Sequence, residues 1–504
     1  MLASCYTSVA CGVDASKVTV EVDISRGLRV FSIVGLPTSS VSESRTRVKS
    51  ALENSGYGFP KGRVTVNLAP GYLPKAGTGF DLPIALAILA AQKRITPGAL
   101  DEVMAVSELS LDGTLRPVTG ILSLALNARK LGFTTVLAHE NNSKTACEVD
   151  GLKCYGARHL SEVVNHLLGD RYLTPQASST CRLVSKPGPD LSDVKGQERA
   201  IRALQISAAG GHNLLMSGPP GCGKSMLAKR LPGLLSPMTK RERLEVAALH
   251  STNAAVPGQS VLSEQRPFRA PHHTITDAAL MGGGINIRPG EVSLAHHGVL
   301  FLDELLEFRR STLECLRQPL QDGHVLIARA KMVVRYPSRF VLVGAMNPCP
   351  CGYSGHPTRL CTCSMDVIAR YQRRLSGPLA DRFDLHLDLK PVGHSRLLSA
   401  IEGTSTDTAR GPVDSAIMRQ KARFPDSPDW QNSHLAEGLV ADVCQLSDPL
   451  REFLEDAANS FSLSNRGLFK ALKVARTIAD LDDAGSIEQS HLCEALSYRR
   501  STIQ

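Results

Sequence analysis

At 504 residues the chain is too long for one hydrophobic core, and about three domains are expected. With 42% apolar and 21% charged residues it suits a globular protein; residues 81–91 are too few to span a bilayer and residues 1–10 lack a signal-peptide pattern, so a cytoplasmic protein without a membrane partner is expected. Basic residues exceed acidic ones by 57 − 48 = +9, and +5 of that excess (fifteen basic, ten acidic) lies between Val261 and Arg382, which favours a polyanionic partner.

Strands and helices alternate up to about Leu168. Residues 17–24 alternate apolar and polar side chains, as a half-buried strand does, and residues 41–54 read as a helix closed by Ser55-Gly56. A strand at 63–68, an apolar helix at 82–92, a hairpin at 109–115 turning on Asp112-Gly113 and a helix at 121–131 complete an expected α/β domain, residues 1–168. Residues 169–190 carry Pro175, Pro187 and Pro189 without apolar periodicity, so they read as a linker.

A second domain is expected over 191–390, and its motifs say what it does. Ser192 or Asp193 is placed to cap a helix running to Ala208. The apolar run Asn213-Leu214-Leu215-Met216 leads into Gly218-Pro219-Pro220-Gly221-Cys222-Gly223-Lys224-Ser225, with a helix from Met226. Strand, glycine-rich turn and helix make the Walker A pattern. Its backbone N–H groups and helix N-terminus suit phosphate oxygens, Lys224 suits the β/γ-phosphates, and the Ser225 hydroxyl suits Mg²⁺. Residues 299–304 form an apolar strand ending in Asp303, for Mg²⁺, and Glu304, for polarising water. Alone those acids could cap a helix; beside the phosphate loop they predict hydrolysis of ATP with Mg²⁺.

Between these motifs His272 and His273 are neighbours; on an extended chain they would point to opposite faces, so no metal role is expected. Gly282-Gly283-Gly284 fits either a mobile pore loop or a tight turn. Residues 305–320 read as one amphipathic helix, and 325–335 as a hairpin with a basic turn. The strand at 340–347 ends in Asn347. Cys349, Cys351, Cys361 and Cys363 form two C-x-C pairs that offer four soft ligands to Zn²⁺, with a reduced, metal-free loop as the alternative. The other nine cysteines are scattered and read as small hydrophobes. Beyond 390 a helical lid is expected over 391–504, with a polar loop at 403–413 and helices at 450–458, 467–479 and 487–498.

Several blocks carry a family resemblance: Phe31 to Pro37, Val66 to Pro70, Phe80 to Ala85, Arg266 to Thr274, Arg288 to His296, and Leu463 to Arg466 with Val474 to Leu481. They resemble the ComM/YifB proteins, magnesium-chelatase-like AAA+ ATPases whose N-terminal domain has the Lon-protease fold. The resemblance implies the following. Lon-type proteolysis needs a Ser–Lys dyad; those positions fall near Gly79 and Leu124, so no peptidase activity is expected. Val194 and Gln197 would line the nucleobase pocket, and Asn347 would be sensor 1. Arg382, in Gly377 to Asp384, would reach the γ-phosphate held by a neighbouring subunit, unless it merely pairs with Asp384. Arg466 would be sensor 2, reaching nucleotide across the lid hinge, with Arg476 its rival. Arg329 and Lys331 would contact DNA, as the corresponding hairpin does in MCM helicases. The whole would be a hexameric motor on branched or single-stranded DNA, similar to a branch-migration helicase; the alternative is a chelatase-type ATPase that remodels a partner for metal insertion.

Overall fold

The computed structural model describes residues 2–96, 98–177, 188–252, 262–284, 287–329, 332–393, 403–425, 430–461 and 463–499. Strand β1 (Leu2–Cys11) turns back into β2 (Asp14–Ser25), where buried Val18, Val20 and Val22 alternate with half-buried neighbours. Next come β3 (Phe31–Val34), β4 (Arg63–Ala69), β5 (Val103–Val106), the short hairpin β6 (Glu108–Leu109) and β7 (Leu115–Arg116), β8 (Thr135–His139) and β9 (Lys153–Ala157). Apart from the hairpin they form one mixed sheet in the order β3-β4-β2-β1-β5-β8-β9. The helices Ser44–Asn54, Asp81–Ala91 and Ile121–Lys130 lie close to their expected places. Ten of the eleven residues in Asp81–Ala91 are buried, which is why that segment reads as apolar all round. Leu124 is buried in its helix, and position 79 sits against Val106.

The first part of the expected linker is tied to the β9 edge. Gln176 N–H donates to the Cys154 carbonyl at 2.8 Å, and Pro175 bridges Tyr155. Residues 178–187 lie outside the described residues.

The second sheet is parallel throughout. Its strands are β10 (Leu214–Ser217), β11 (Phe268–Arg269), β14 (Val299–Leu302), β17 (Val341–Met346) and β18 (Leu385–Asp388), in the order β11-β14-β17-β10-β18. Two antiparallel ladders lie between them in sequence, β12 (Gly282–Gly283) with β13 (Arg288–Pro289), and β15 (His324–Arg329) with β16 (Met332–Pro337). Every residue of β10, β14 and β17 is buried, as the unbroken apolar runs require of central parallel strands. Register sets Ser217 opposite Met346 and Leu302 opposite Gly344. Gly218, Asp303 and Asn347 therefore all leave the sheet at its carboxyl-end edge, where ligands of such sheets bind.

Two segments differ from expectation, and a third takes one of the two forms expected of it. The single helix expected at 305–320 is broken into Leu305–Glu307, Arg310–Cys315 and Arg317–Asp322. The loop expected at 403–413 is instead the start of an 18-residue helix, Thr406–Arg423, whose Ala409, Val413, Ala416, Ile417 and Gln420 are buried. Pro412 lies inside it, and the Gly411-Pro412 pair disguises the helix as a break. The glycines at 282–284 make a tight contact: a Cβ at Gly282 would lie 2.7 Å from the Arg288 carbonyl oxygen, and one at Gly290 would lie 2.3 Å from the Gly282 nitrogen. Only bare backbones fit there.

The C-terminal helices Asp448–Ser460, Asn465–Leu481 and Gln489–Ser497 match the expected lid, and Thr406–Arg423 packs with Asn465–Leu481 and with the helix Glu198–Gly210. The first two units also share a core. Leu244, Ala247 and Ala248 of the helix Lys240–Ser251 lie in one buried cluster with Met104, Ile121 and Leu124. No helix among the described residues is long and apolar enough to cross a membrane.

Candidate functional site

The loop after β10 bends at Gly221 and Gly223, whose φ of 78° and 90° belong to the left-handed region that favours glycine. Gly223 then begins the helix Lys224–Ala228. The Lys224 ammonium donates to the carbonyls of Gly218 (2.5 Å) and Pro219 (3.1 Å) and to Asn347 Oδ1 (2.9 Å). Burial pushes its pKa down against the pull of Cys222, Asp303 and Glu304. Ser225 Oγ donates to Asp303 Oδ2 at 2.6 Å. Two hard oxygen donors thus stand side by side, a set that suits Mg²⁺. The fold brings together Lys224, Ser225, Asp303 and Asn347 from three parallel strands.

Glu304 follows with φ of 51°, unusual for a residue with a side chain. Its half-exposed carboxylate lies 3.3 Å from His273 Nδ1. The two histidines do not point apart. Residues 273 and 274 form a turn, and the rings of His272 and His273 stand 4.1 Å apart. Sequence reasoning missed this partner of Glu304. The available signal was strand β11: pairing Phe268-Arg269 beside β14 carries the next residues to the same edge as Glu304.

Gln197 Nε2 donates to the Cys222 carbonyl at 2.8 Å, bracing the phosphate loop from outside, while its buried Oε1 has no partner among the described residues. Val194 is buried in the domain core. Met226 packs partly buried against that same core.

Arg382 and Arg466 lie elsewhere. Both line a cleft of about 530 Å³ with Arg339, Lys470 and Lys473. The Arg382 guanidinium donates to Gln321 Oε1 at 2.7 Å, and no described carboxylate is within ion-pair distance. Its pKa is lowered by burial and by the nearby Arg466 and Arg317 cations. The alternative pairing with Asp384 is not made: Asp384 instead takes Lys470 at 2.7 Å. Arg466 therefore neighbours Arg382, not Lys224 of its own chain. Arg476 is not its equal. It is buried and held by Asp480 and the Ala484 and Gly485 carbonyls, a structural role. The Arg329 side chain and the whole of Lys331 lie outside the described residues, although the Arg329 backbone pairs with Met332 at the turn end of the β15–β16 hairpin.

Among the described residues, two side-chain clusters have metal-ligand composition. In the first, the four cysteine sulfurs at 349, 351, 361 and 363 lie within 4.8 Å of one another. Backbone N–H donation from Tyr353 and Thr362 draws the Cys351 thiol down to about 5. The second, Glu245 with His296 and His297, is poorly disposed for metal. His296 Nδ1 accepts the Arg339 N–H at 3.0 Å, so in the neutral ring Nε2 carries the proton and faces Glu245 at 3.5 Å. It is a buried hydrogen-bonded group instead.

That burial has a consequence for pH. Desolvation pushes His296 down from 6.5 to about 4, against the pull of Glu245 and helped by His297 and Arg339. Between those values the unfolded chain takes up a proton that the folded chain does not, so the stability is complete above pH 6.5 and falls as pH drops towards 4. The full difference is about 3 kcal/mol for this one group. Glu245 acts with the same sign: hydrogen bonds from the two imidazoles and Arg241 outweigh its burial and hold its carboxyl below the ordinary range. Urea unfolding from pH 7.5 to 4.5 measures the effect, and His296→Gln should flatten the upper part of the curve.

Residues 190–397 match the family model for magnesium chelatase, subunit ChlI; residues 20–142 match that for subunit ChlI of Mg-chelatase, and residues 403–499 that for its C-terminal part. The chain is 44% identical over 499 residues to YifB of Escherichia coli (strain K12), spanning 98% of this chain and 96% of that one. It is 43% identical over 508 residues to the competence protein ComM of Haemophilus influenzae, spanning 99% and 97%. The magnesium-chelatase 38 kDa subunit of Cereibacter sphaeroides is more distant, at 25% over 340 residues and 63% of this chain. The chain belongs to the ComM/YifB family of magnesium-chelatase-like AAA+ ATPases, a family that uses ATP and Mg²⁺.

Proposed function

We propose that this ATPase works as a hexameric ring, as its family resemblance implies, and drives branched or single-stranded DNA through that ring. The observation that carries the proposal is the division of charge between two places. Lys224, Ser225, Asp303, Glu304 and Asn347 gather at one sheet edge, while Arg382 and Arg466 share a separate cleft without a carboxylate paired to Arg382. Among the described residues the first gathering contains no arginine, and the second place offers two. A neighbouring copy that docks its cleft over the loop completes the site, and an arginine delivered in this way is worth about 10³–10⁵ in rate.

Within one copy, Lys224 would neutralise the β/γ-phosphates, Glu304 would orient the attacking water, and Asn347 would hold Lys224 and that water in place. Ser225 and Asp303 would hold Mg²⁺, which neutralises phosphate charge. Gln197 would brace the loop's outer side, and Val194 with Gln197 would line the nucleobase pocket, as the resemblance implies. The four cysteines would hold Zn²⁺. The N-terminal domain has an assembly role and the Lon-like fold without its dyad.

DNA as the polyanion is supported by the net +5 around the hairpin and by the relative named for competence. The chelatase reading is weaker because the Cereibacter sphaeroides subunit covers only 63% of the chain, at 25% identity. ATP turnover with and without forked or single-stranded DNA decides between them. A rise supports the DNA motor; no change in rate, with no binding at low salt, rejects it.

A further inference from the structure

We propose that Cys349, Cys351, Cys361 and Cys363 hold a single Zn²⁺, and that this ion clamps the turn after Asn347 against the phosphate loop, so that metal occupancy sets nucleotide affinity. The second half rests on the reading of Gly218 to Ser225 as the triphosphate site.

The four sulfurs already lie within 4.8 Å of one another. Cys349 Sγ lies 3.3 Å from Cys351 Sγ and 3.6 Å from Cys361 Sγ, and Cys351 and Cys361 are 3.5 Å apart. Zinc–sulfur bonds of 2.3 Å give tetrahedral edges of about 3.8 Å, so a small outward relaxation seats one ion. The group is too tight for an iron–sulfur cluster, whose thiolates bind separate irons. Backbone donors support the sulfurs, as second contacts do in metal sites: Ser354 N–H reaches Cys349 Sγ at 3.3 Å and Cys363 N–H reaches Cys361 Sγ at 3.4 Å.

Position gives the site its consequence. Cys349 is fully buried two residues after Asn347, the amide that receives Lys224. Gly352, at φ 84°, lies directly on the phosphate loop: a Cβ there would come within 2.6 Å of Pro220 Cδ. The second cysteine pair leads into the helix Met365–Gln372, which returns to the same turn through Gln372 Nε2 donating to the Pro348 carbonyl at 3.1 Å. Without a central ion, only weak thiol contacts join the two cysteine pairs beside Pro220. With it, sensor strand, turn and helix are joined by four bonds immediately beside the loop.

The test uses the full-length protein, with metal content read by elemental analysis and affinity by a fluorescent ATP analogue in excess Mg²⁺. About one zinc per chain is expected, and a zinc-selective chelator should weaken nucleotide binding roughly tenfold, reversed by added Zn²⁺. Cys361→Ser with Cys363→Ser should lose both zinc and affinity. Because that variant could unfold, Gly352→Ala provides a second arm: it keeps all four thiols and should retain zinc while binding nucleotide more weakly. Protein that carries no zinc and takes none up overturns the metal site. Zinc loss with unchanged affinity overturns the clamp alone. If the zinc-loaded protein binds no nucleotide, the phosphate-loop reading fails and the clamp with it, while the metal count still stands by itself.

Discussion

Arg382→Ala should reduce ATP turnover by about 10³-fold, the lower end of what a guanidinium delivered to the γ-phosphate is worth. Nucleotide affinity should hardly change, because the residues around Lys224 are untouched. The reason is where the side chain stands. It is held by Gln321 beside Arg466 in a cleft separate from the phosphate loop of its own chain. Arg382→Lys should recover little, since an ammonium lacks the planar fork that meets two oxygens together. Mixing makes the result specific. Arg382→Ala chains still bind ATP but cannot complete a neighbour's site, whereas Lys224→Ala chains lack the phosphate contact but keep their arginine. Combined, the two should regain turnover that neither shows alone. An undiminished rate for Arg382→Ala, measured at a dilution where the chain is monomeric, would remove the case for shared sites.

The site was legible where a chemical task forces a local pattern. Gly221 and Gly223 occupy backbone angles that side chains disfavour, and the strands before Lys224, Asp303 and Asn347 are buried on both faces, so their apolar runs are continuous. Register then carried those ends together, as the motif order implied. The rest depended on contacts distant in sequence. Nothing local to Arg466 says that it faces Arg382, and nothing local to Arg476 says that Asp480 and two carbonyls consume it. His273 meets Glu304 across thirty-one positions of chain, and only the strand pairing of β11 with β14 makes them neighbours. The helix Thr406–Arg423 was hidden for a different reason: tertiary packing of its buried face overrides the weak helix propensity of Gly411-Pro412.

Glu304→Gln should lower the turnover by about 10²–10⁴, the usual worth of a positioned base, while leaving ATP bound. The change keeps shape and removes only the carboxylate that draws on the attacking water. Asp303→Asn should behave differently. Asp303 accepts the Ser225 hydroxyl at 2.6 Å, so its loss disturbs the pair placed for Mg²⁺ and should raise the Mg²⁺ concentration needed for half-maximal rate. Two adjacent acids on one strand end thus separate by measurement: one changes the rate at saturating metal, the other changes the metal requirement. The left-handed turn at Glu304 explains how neighbours divide the work. It swings the second carboxylate away from Ser225 and towards His273, where a side chain anchored 3.3 Å away holds it at the edge of the site. His273→Ala should therefore alter turnover without altering ATP affinity, and a shifted affinity with normal turnover would place His273 at the nucleotide and not at the base.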